Sequence, residues 1–109
     1  MRRIALILLL TAPSGIVAEE WTQLSGAEIN AALTDAKLQY ATATQTFYAS
    51  GKTLYDAGRP SWGYWRVQGD QYCSQWPPSD LWACYDMAAR GHELRFIGAS
   101  GDVTDGTVQ

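Results

Sequence analysis

The stretch "WGYWRVQGDQYCSQWPPSDLWACYD", residues 62–86, carries the strongest fold signal in the chain. Aromatic and apolar residues alternate with polar ones, and short breaks at Gln68-Gly69 and at Pro77 to Asp80 interrupt the alternation. Such segments, bounded by glycine, proline and aspartate, are typical of antiparallel strands joined by short turns. We therefore predict two consecutive hairpins, with strands near 61–67, 70–76 and 81–87.

Both cysteines of the chain, Cys73 and Cys84, lie on consecutive strands of this stretch. We predict a disulfide between them, on the more polar face of the hairpin, which in the loop-entropy account stabilises a domain by about 3 kcal/mol. A redox-active pair is usually a C-x-x-C motif before a helix, which is absent here. Two cysteines and a single histidine also fall short of a four-ligand zinc site, so we expect no metal and no cofactor.

The rest of the chain predicts one helix and further strands. Ser25 and Glu28 have the spacing of a capping box, and Ile29 and Leu33 follow on one helical face, so we predict a helix over about 26–35. The fold class expected is α+β: one short N-terminal helix packed on a curled antiparallel β meander that can close partly into a barrel. We assign a single domain to residues 19–101 and a frayed tail to 102–109, whose sequence lacks apolar periodicity. The other predicted strands lie near 38–42, 44–50, 52–56 and 92–98.

The first eighteen residues have the pattern of a signal peptide. Arg2 and Arg3 precede an apolar run, and Ala18 offers a small residue before the cleavage point. The alternative is an uncleaved membrane anchor, but the apolar run is shorter than the ~20 residues of a spanning helix. We expect a periplasmic or secreted domain with no stable membrane insertion after cleavage, an environment in which a disulfide persists.

Charge and motifs exclude several classes of function. Eight Lys and Arg stand against eleven Asp and Glu, with no basic cluster, so nucleic acid is not an expected partner. The chain has no G-x-S-x-G, no S-x-x-K and no glycine-rich phosphate loop. His92, the single histidine, is interpreted as a rim residue beside the core, with a ligand or acid–base role as the alternative. We predict that the protein is not an enzyme and has no catalytic residues.

Aromatic residues provide the candidate binding surface. Strand parity predicts a core of Phe47, Leu54, Trp65, Val67, Tyr72, Trp76, Leu94 and Phe96. The opposite face then carries an arginine and four rings, a surface suited to sugars, peptides or a partner protein. The alternative is that these rings form a second packing layer. The candidate ligand-binding residues are Tyr48, Tyr55, Trp62, Tyr64 and Arg66.

These features together predict an exported, noncatalytic binding domain of the bacterial cell envelope. The ligand would be a small molecule, a glycan or a peptide. The alternative is a structural or accessory subunit whose aromatic face is covered by a partner protein.

One pattern gives the chain a family resemblance. The segments W-R-V-x-G-D-x-Y-C, beginning at Trp65, and W-x-C-Y, beginning at Trp82, resemble a family of small exported bacterial domains of unknown function, found mainly in alphaproteobacteria. The resemblance covers about residues 21–101. It implies an exported, disulfide-linked β domain and supplies no catalytic residues.

Overall fold

The computed structural model describes residues 20–109, which form nine strands and one helix. The predicted signal peptide, residues 1–18, lies outside the described residues. In chain order the elements are β1 (Thr22–Gln23), α1 (Gly26–Leu33), β2 (Lys37–Gln39), β3 (Thr44–Phe47), β4 (Lys52–Asp56), β5 (Pro60–Gln68), β6 (Gln71–Gln75), β7 (Trp82–Arg90), β8 (Glu93–Ile97) and β9 (Val103–Val108).

Strands β2 to β9 form a closed, eight-stranded antiparallel barrel in which each strand pairs with the next along the chain. The first and last of them pair with each other, with Leu38 opposite Val108, and this pairing closes the cylinder. The short β1 pairs with β7 beside Ala88 and Ala89. The α+β prediction is wrong, because strands comprise 53% of the structure and the only helix described has eight residues.

The strand that closes the barrel lies in the tail that the sequence analysis treats as frayed. Pairing of β9 with both β2 and β8 places Thr104, Gly106 and Val108 toward the interior. Only one of these three residues, Val108, has a large apolar side chain, so the strand gives a weak apolar signal in the sequence. At position 106 the packing requires glycine. A Cβ on Gly106 would lie 2.8 Å from a ring carbon of Tyr40. Close packing of β9 against β2 therefore removes the apolar periodicity that identifies a strand in sequence.

The β3–β4 turn sets which side chains of β4 face inward. Tyr48 N donates to the Lys52 carbonyl oxygen, so the turn itself comprises three residues, 49–51. Gly51, at φ +93°, is the last of them, and Phe47 lies opposite Thr53. A two-residue turn at Ser50-Gly51 would instead place Leu54 opposite Phe47 and in the predicted core. A shift of one residue moves every side chain of a strand to the other face. Leu54 is consequently on the outer face, and Tyr55 is on the inner one.

The β5–β6 turn begins one residue later than the break predicted at Gln68-Gly69, which shifts the strand register by two residues and therefore retains the predicted faces. The turn is Gly69-Asp70, with Gly69 at φ +59°, and Trp65 lies opposite Ser74. Trp65 and Tyr72 are buried, as predicted, while Trp62 and Tyr64 face outward.

Helix α1 closes one end of the barrel. Its capping box is confirmed, since Glu28 N donates to Ser25 Oγ and Ser25 N donates to Glu28 Oε1. Ile29 and Leu33 are fully buried in the same core as Phe47. The helix start is fixed from a distance, because Gly26 N donates a 2.7 Å hydrogen bond to Asp70 Oδ1 in the β5–β6 turn.

The predicted disulfide is confirmed. Cys73 and Cys84 lie directly opposite each other on β6 and β7 and are bonded. On β5, Arg66 lies opposite Cys73, so the bond is on the outer face of the barrel, as predicted.

Candidate functional site

The barrel is open at the end opposite the helix, and a cavity of about 900 Å³ occupies that end. The open end is bordered by the connections that precede β3, β5, β7 and β9, whereas α1 packs near the β5–β6 turn at the other end. Clefts of this volume in the mouth of a β-barrel are common sites for small molecules. The cavity is therefore the first candidate for a functional site.

A series of aromatic rings lines the wall of the cavity. Tyr55 lies between Trp76 and Tyr40, with 6.2 Å between the ring centroids on each side. Tyr40 lies 6.2 Å from Phe96, which is in turn 6.5 Å from Tyr85. Most of these pairs are tilted or edge-to-face, the arrangements that aromatic quadrupoles favour. The wall thus presents ring faces and edges in several orientations.

A hydrogen-bond network forms the buried side of the cavity. Gln45, which is 6% exposed, accepts a 2.7 Å hydrogen bond from the Tyr40 hydroxyl. Its Nε2 donates to Thr53 Oγ1 at 2.9 Å and, more weakly, to the Tyr72 hydroxyl at 3.4 Å. The protein therefore satisfies both ends of the Gln45 amide, as a buried polar group requires.

Burial keeps the phenols of this network uncharged. Desolvation raises the pKa of Tyr40 well above its ordinary value of 10.0, and the neighbouring Tyr72 and Tyr55 raise it further. Desolvation also raises the pKa of Tyr72 to about 12, although hydrogen bonds from Ser74 and Gln45 oppose the shift. Tyr40 and Tyr72 are therefore neutral at physiological pH.

Among residues 20–109, the one charged side chain that lines the cavity is held by a partner outside it. Asp105 forms two hydrogen bonds with Arg95, at 2.9 and 3.0 Å, and these hold the pKa of the Asp105 carboxyl below its usual range. The guanidinium of Arg95 also lies 4.1 Å above the ring of Trp21. No lysine, arginine or histidine lines the cavity in the described part of the chain.

The candidate residues of the sequence analysis divide between two surfaces. Tyr64 lies on the outer face, and Trp62, which is 54% exposed, lies on that face and at the rim of the cavity. Tyr48 stacks on Trp62 with 5.9 Å between ring centroids. Tyr55 does not join them, because its strand register turns it into the cavity.

Arg66, the remaining candidate, lies on the outer face but away from these rings. Its guanidinium is 3.9 Å from the ring centroid of Trp82, beside the disulfide. A small groove of about 190 Å³ on the outer aromatic face is lined by residues that include Lys52, Trp62 and Tyr64.

Several cavity residues were not identified from the sequence as site residues. Gln45 alternates with Phe47 on β3, and Trp76 follows β6 with the parity of Tyr72, so both carried an inward-facing signal. From the sequence, Trp76 is interpreted as a core residue, and Gln45 receives no assignment. The alternation of apolar and polar residues does not reveal how many strands close the barrel. That number determines whether the inward side chains fill the interior or leave a cavity.

Other kinds of site receive no geometric support. His92 is exposed in the turn before β8, at the end closed by the helix and away from the cavity. Within residues 20–109 no group of three His, Cys, Asp or Glu side chains could hold a metal ion. In the same residues, no helix has the length and apolar character needed to span a bilayer.

Comparisons with known proteins gave no relative: no protein-family model, curated protein or solved structure matches this chain.

Proposed function

We propose that this protein is a noncatalytic binding domain that takes a small organic molecule into the open end of its barrel. The observation that carries the proposal is the 900 Å³ cavity, walled by aromatic rings and backed by a satisfied hydrogen-bond network. An apolar concavity with a few fixed polar groups is the usual form of a small-molecule site.

The chemistry of the lining supports a noncatalytic role. Asp105, the carboxylate that the described residues contribute to the lining, is bound by Arg95, and the pKa of that carboxyl is lowered, so it is a poor proton acceptor near neutrality. The tyrosines with raised pKa values, Tyr40 and Tyr72, are poor acids at the same pH. A cavity lined by such weak acids and bases is better suited to binding a ligand than to catalysing a reaction.

We further propose that the domain works outside the cytoplasm, in the bacterial cell envelope, as the family resemblance implies. The Cys73–Cys84 disulfide supports this, because structural disulfides persist in oxidising compartments.

The test of the function is a titration with a neutral apolar fluorophore, N-phenyl-1-naphthylamine. We expect saturable fluorescence enhancement with one site per chain. Thr104→Trp is designed to fill the cavity, since Thr104 is an exposed, inward-facing residue of β9 that lines it. Thr107→Trp, at an exposed outward-facing position of the same strand, is the matched control.

The proposal requires that Thr104→Trp abolish the enhancement and that Thr107→Trp retain it. Equal enhancement in the two variants would place the fluorophore elsewhere and contradict the proposal. Circular dichroism of both variants checks that the barrel is retained.

The outer aromatic face supports a second candidate, an accessory subunit that docks a partner protein there. The exposures of Trp62 and Tyr64, 54% and 42%, are large for such rings, and Tyr48 extends the patch. A photoreactive amino acid incorporated at position 64 and irradiated in the cells that make the protein should then cross-link the domain to one partner protein. The same amino acid at position 107 should not, because β9 lies across the barrel from β5. Identical patterns from the two positions would rule this candidate out.

A further inference from the structure

The cavity wall has the composition of a site for a positively charged organic group. Five rings, those of Tyr40, Tyr55, Trp76, Tyr85 and Phe96, form a connected series around it. Tryptophan and tyrosine faces carry the negative lobe of the aromatic quadrupole and attract a cation that has lost part of its water. A bulky alkylammonium loses that water more readily than a small metal ion.

In the described residues, no basic side chain of the protein occupies the ring faces of the cavity, so these faces are available to a cationic ligand. In other parts of the described structure arginines already occupy ring faces: Arg66 lies over Trp82, and Arg90 and Arg95 lie over Trp21. Within the described part of the chain, the rings that line the cavity form no such pair with a basic residue. Within residues 20–109 the wall includes no Lys, Arg or His that could itself fill the site or bind an anion.

The acidic residues around the open end of the barrel also favour a cationic ligand. The connections at the open end contain Asp80 and Asp102, and β4 ends there at Asp56. Arg59 is the one basic residue of those connections. Asp105 adds little net charge, since Arg95 is bound to it. An acidic rim raises the local concentration of cations and lowers that of anions.

We propose that the cavity selects a ligand with an organic ammonium group, held by its aromatic wall. The inference rests on the proposed function, since it names the ligand class of the same cavity. The apolar body of the ligand would occupy the space between the rings, and the ammonium would lie against a tyrosine or tryptophan face. The Gln45 amide is already satisfied by Tyr40 and Thr53, so selectivity comes from the rings and the rim.

The test compares three probes of one shape and different charge by isothermal titration calorimetry. They are (4-hydroxyphenyl)trimethylammonium, neutral 4-tert-butylphenol and anionic 4-hydroxybenzenesulfonate. We expect the cation to bind about tenfold more tightly than the neutral probe, within the range of desolvated cation–π contacts, and the anion to bind most weakly. The cation's advantage should shrink as sodium chloride is raised from about 25 to 250 mM, because salt screens the rim.

A variant separates ring electrostatics from simple apolar contact. Tyr55→Leu keeps an apolar side chain in the wall but removes a ring face. This substitution should weaken binding of the cationic probe more than binding of the neutral probe. Tyr64→Leu, on the outer face, should change neither affinity. The probe series on the unaltered protein tests the inference even if Tyr55→Leu does not fold.

The possible outcomes are distinct. If the neutral probe binds as tightly as the cation, or the anion binds best, the ammonium preference is wrong and the binding function stands. If none of the three probes binds and the fluorophore enhancement is also absent, both the inference and the proposed function fail.

Discussion

The hydroxyl of Tyr40 donates a 2.7 Å hydrogen bond to Oε1 of Gln45, and this contact joins the aromatic wall of the cavity to its polar floor. Tyr40 follows β2, and Gln45 lies on β3, the neighbouring strand. Nε2 of Gln45 continues the network to Thr53 on β4. Three consecutive segments of the barrel are thus tied together beneath the cavity.

Tyr40→Phe should lower the free energy of unfolding by about 1–2 kcal/mol, because Gln45 Oε1 would lose its partner while buried. Tyr48→Phe, which removes a hydroxyl from an exposed ring, should change stability by less than about 0.5 kcal/mol. Urea unfolding followed by tryptophan fluorescence measures both. Equal effects of the two substitutions would show that the network does not stabilise the barrel.

Stability should fall at alkaline pH through the buried phenols. The pKa of Tyr72 is raised to about 12, and that of Tyr40 is also raised, whereas both are near 10.0 in the unfolded chain. The folded state then binds more protons than the unfolded state above pH 10. The contribution of Tyr72 is complete below pH 10 and is lost as pH rises from 10 through about 12.

Urea unfolding between pH 8 and pH 12 tests this expectation. The free energy of unfolding should be flat to about pH 9.5 and then decline. The decline should be shallower in Tyr40→Phe/Tyr72→Phe than in the unaltered protein. A slope unchanged by the double substitution would assign the alkaline decline to other groups.

Gly26→Ala should destabilise the domain although alanine is the better helix former. A Cβ at Gly26 would collide with the carbonyl oxygen of Gly69 and lie 3.2 Å from Cγ1 of Val67. We expect a loss of about 1–3 kcal/mol, typical of overpacking. Asn30→Ala, at an exposed position of the same helix, should be neutral or slightly stabilising. A neutral Gly26→Ala would mean that α1 does not rest on the β5–β6 turn.

Removing the disulfide should cost about 3 kcal/mol, because the Cys73–Cys84 bond closes a short loop in the unfolded chain. Unfolding of Cys73→Ala/Cys84→Ala measures the loss. A thiol reductant should lower the stability of the unaltered protein by a similar amount and leave the double variant unchanged. A reductant effect in the double variant would show an action unrelated to this bond.

The sequence predicts those features that depend on local pattern. Alternation identified Trp65 and Tyr72 as buried and Trp62 and Tyr64 as outward-facing, and the capping box located the start of the helix. The position of Cys73 and Cys84 on consecutive strands predicts the disulfide. An error of two residues in a hairpin register leaves such predictions intact.

The features that failed depend on a single turn or on pairing across the whole chain. Gly51 lengthens the β3–β4 connection by one residue, and this is sufficient to move Tyr55 from the outer face to the cavity. Closure of the barrel requires β9, whose inward Gly106 carries no apolar signal. The cavity is a property of the closed barrel, so Trp76 and Phe96, which line its wall, are predicted from the pattern to be core residues.

The most direct measurement of the binding site uses the five tryptophans of the chain as reporters. In ¹H–¹⁵N spectra each indole N–H gives one signal, and the protein is titrated with (4-hydroxyphenyl)trimethylammonium and with 4-tert-butylphenol. Trp76 lies in the cavity wall, whereas Trp21 and Trp82 lie on the outside beneath arginines. Binding in the barrel mouth predicts a saturable shift of the Trp76 signal, with Trp21 and Trp82 unmoved. A Trp76 signal that stays fixed while an outer signal shifts, or no shift with either compound, would contradict the account.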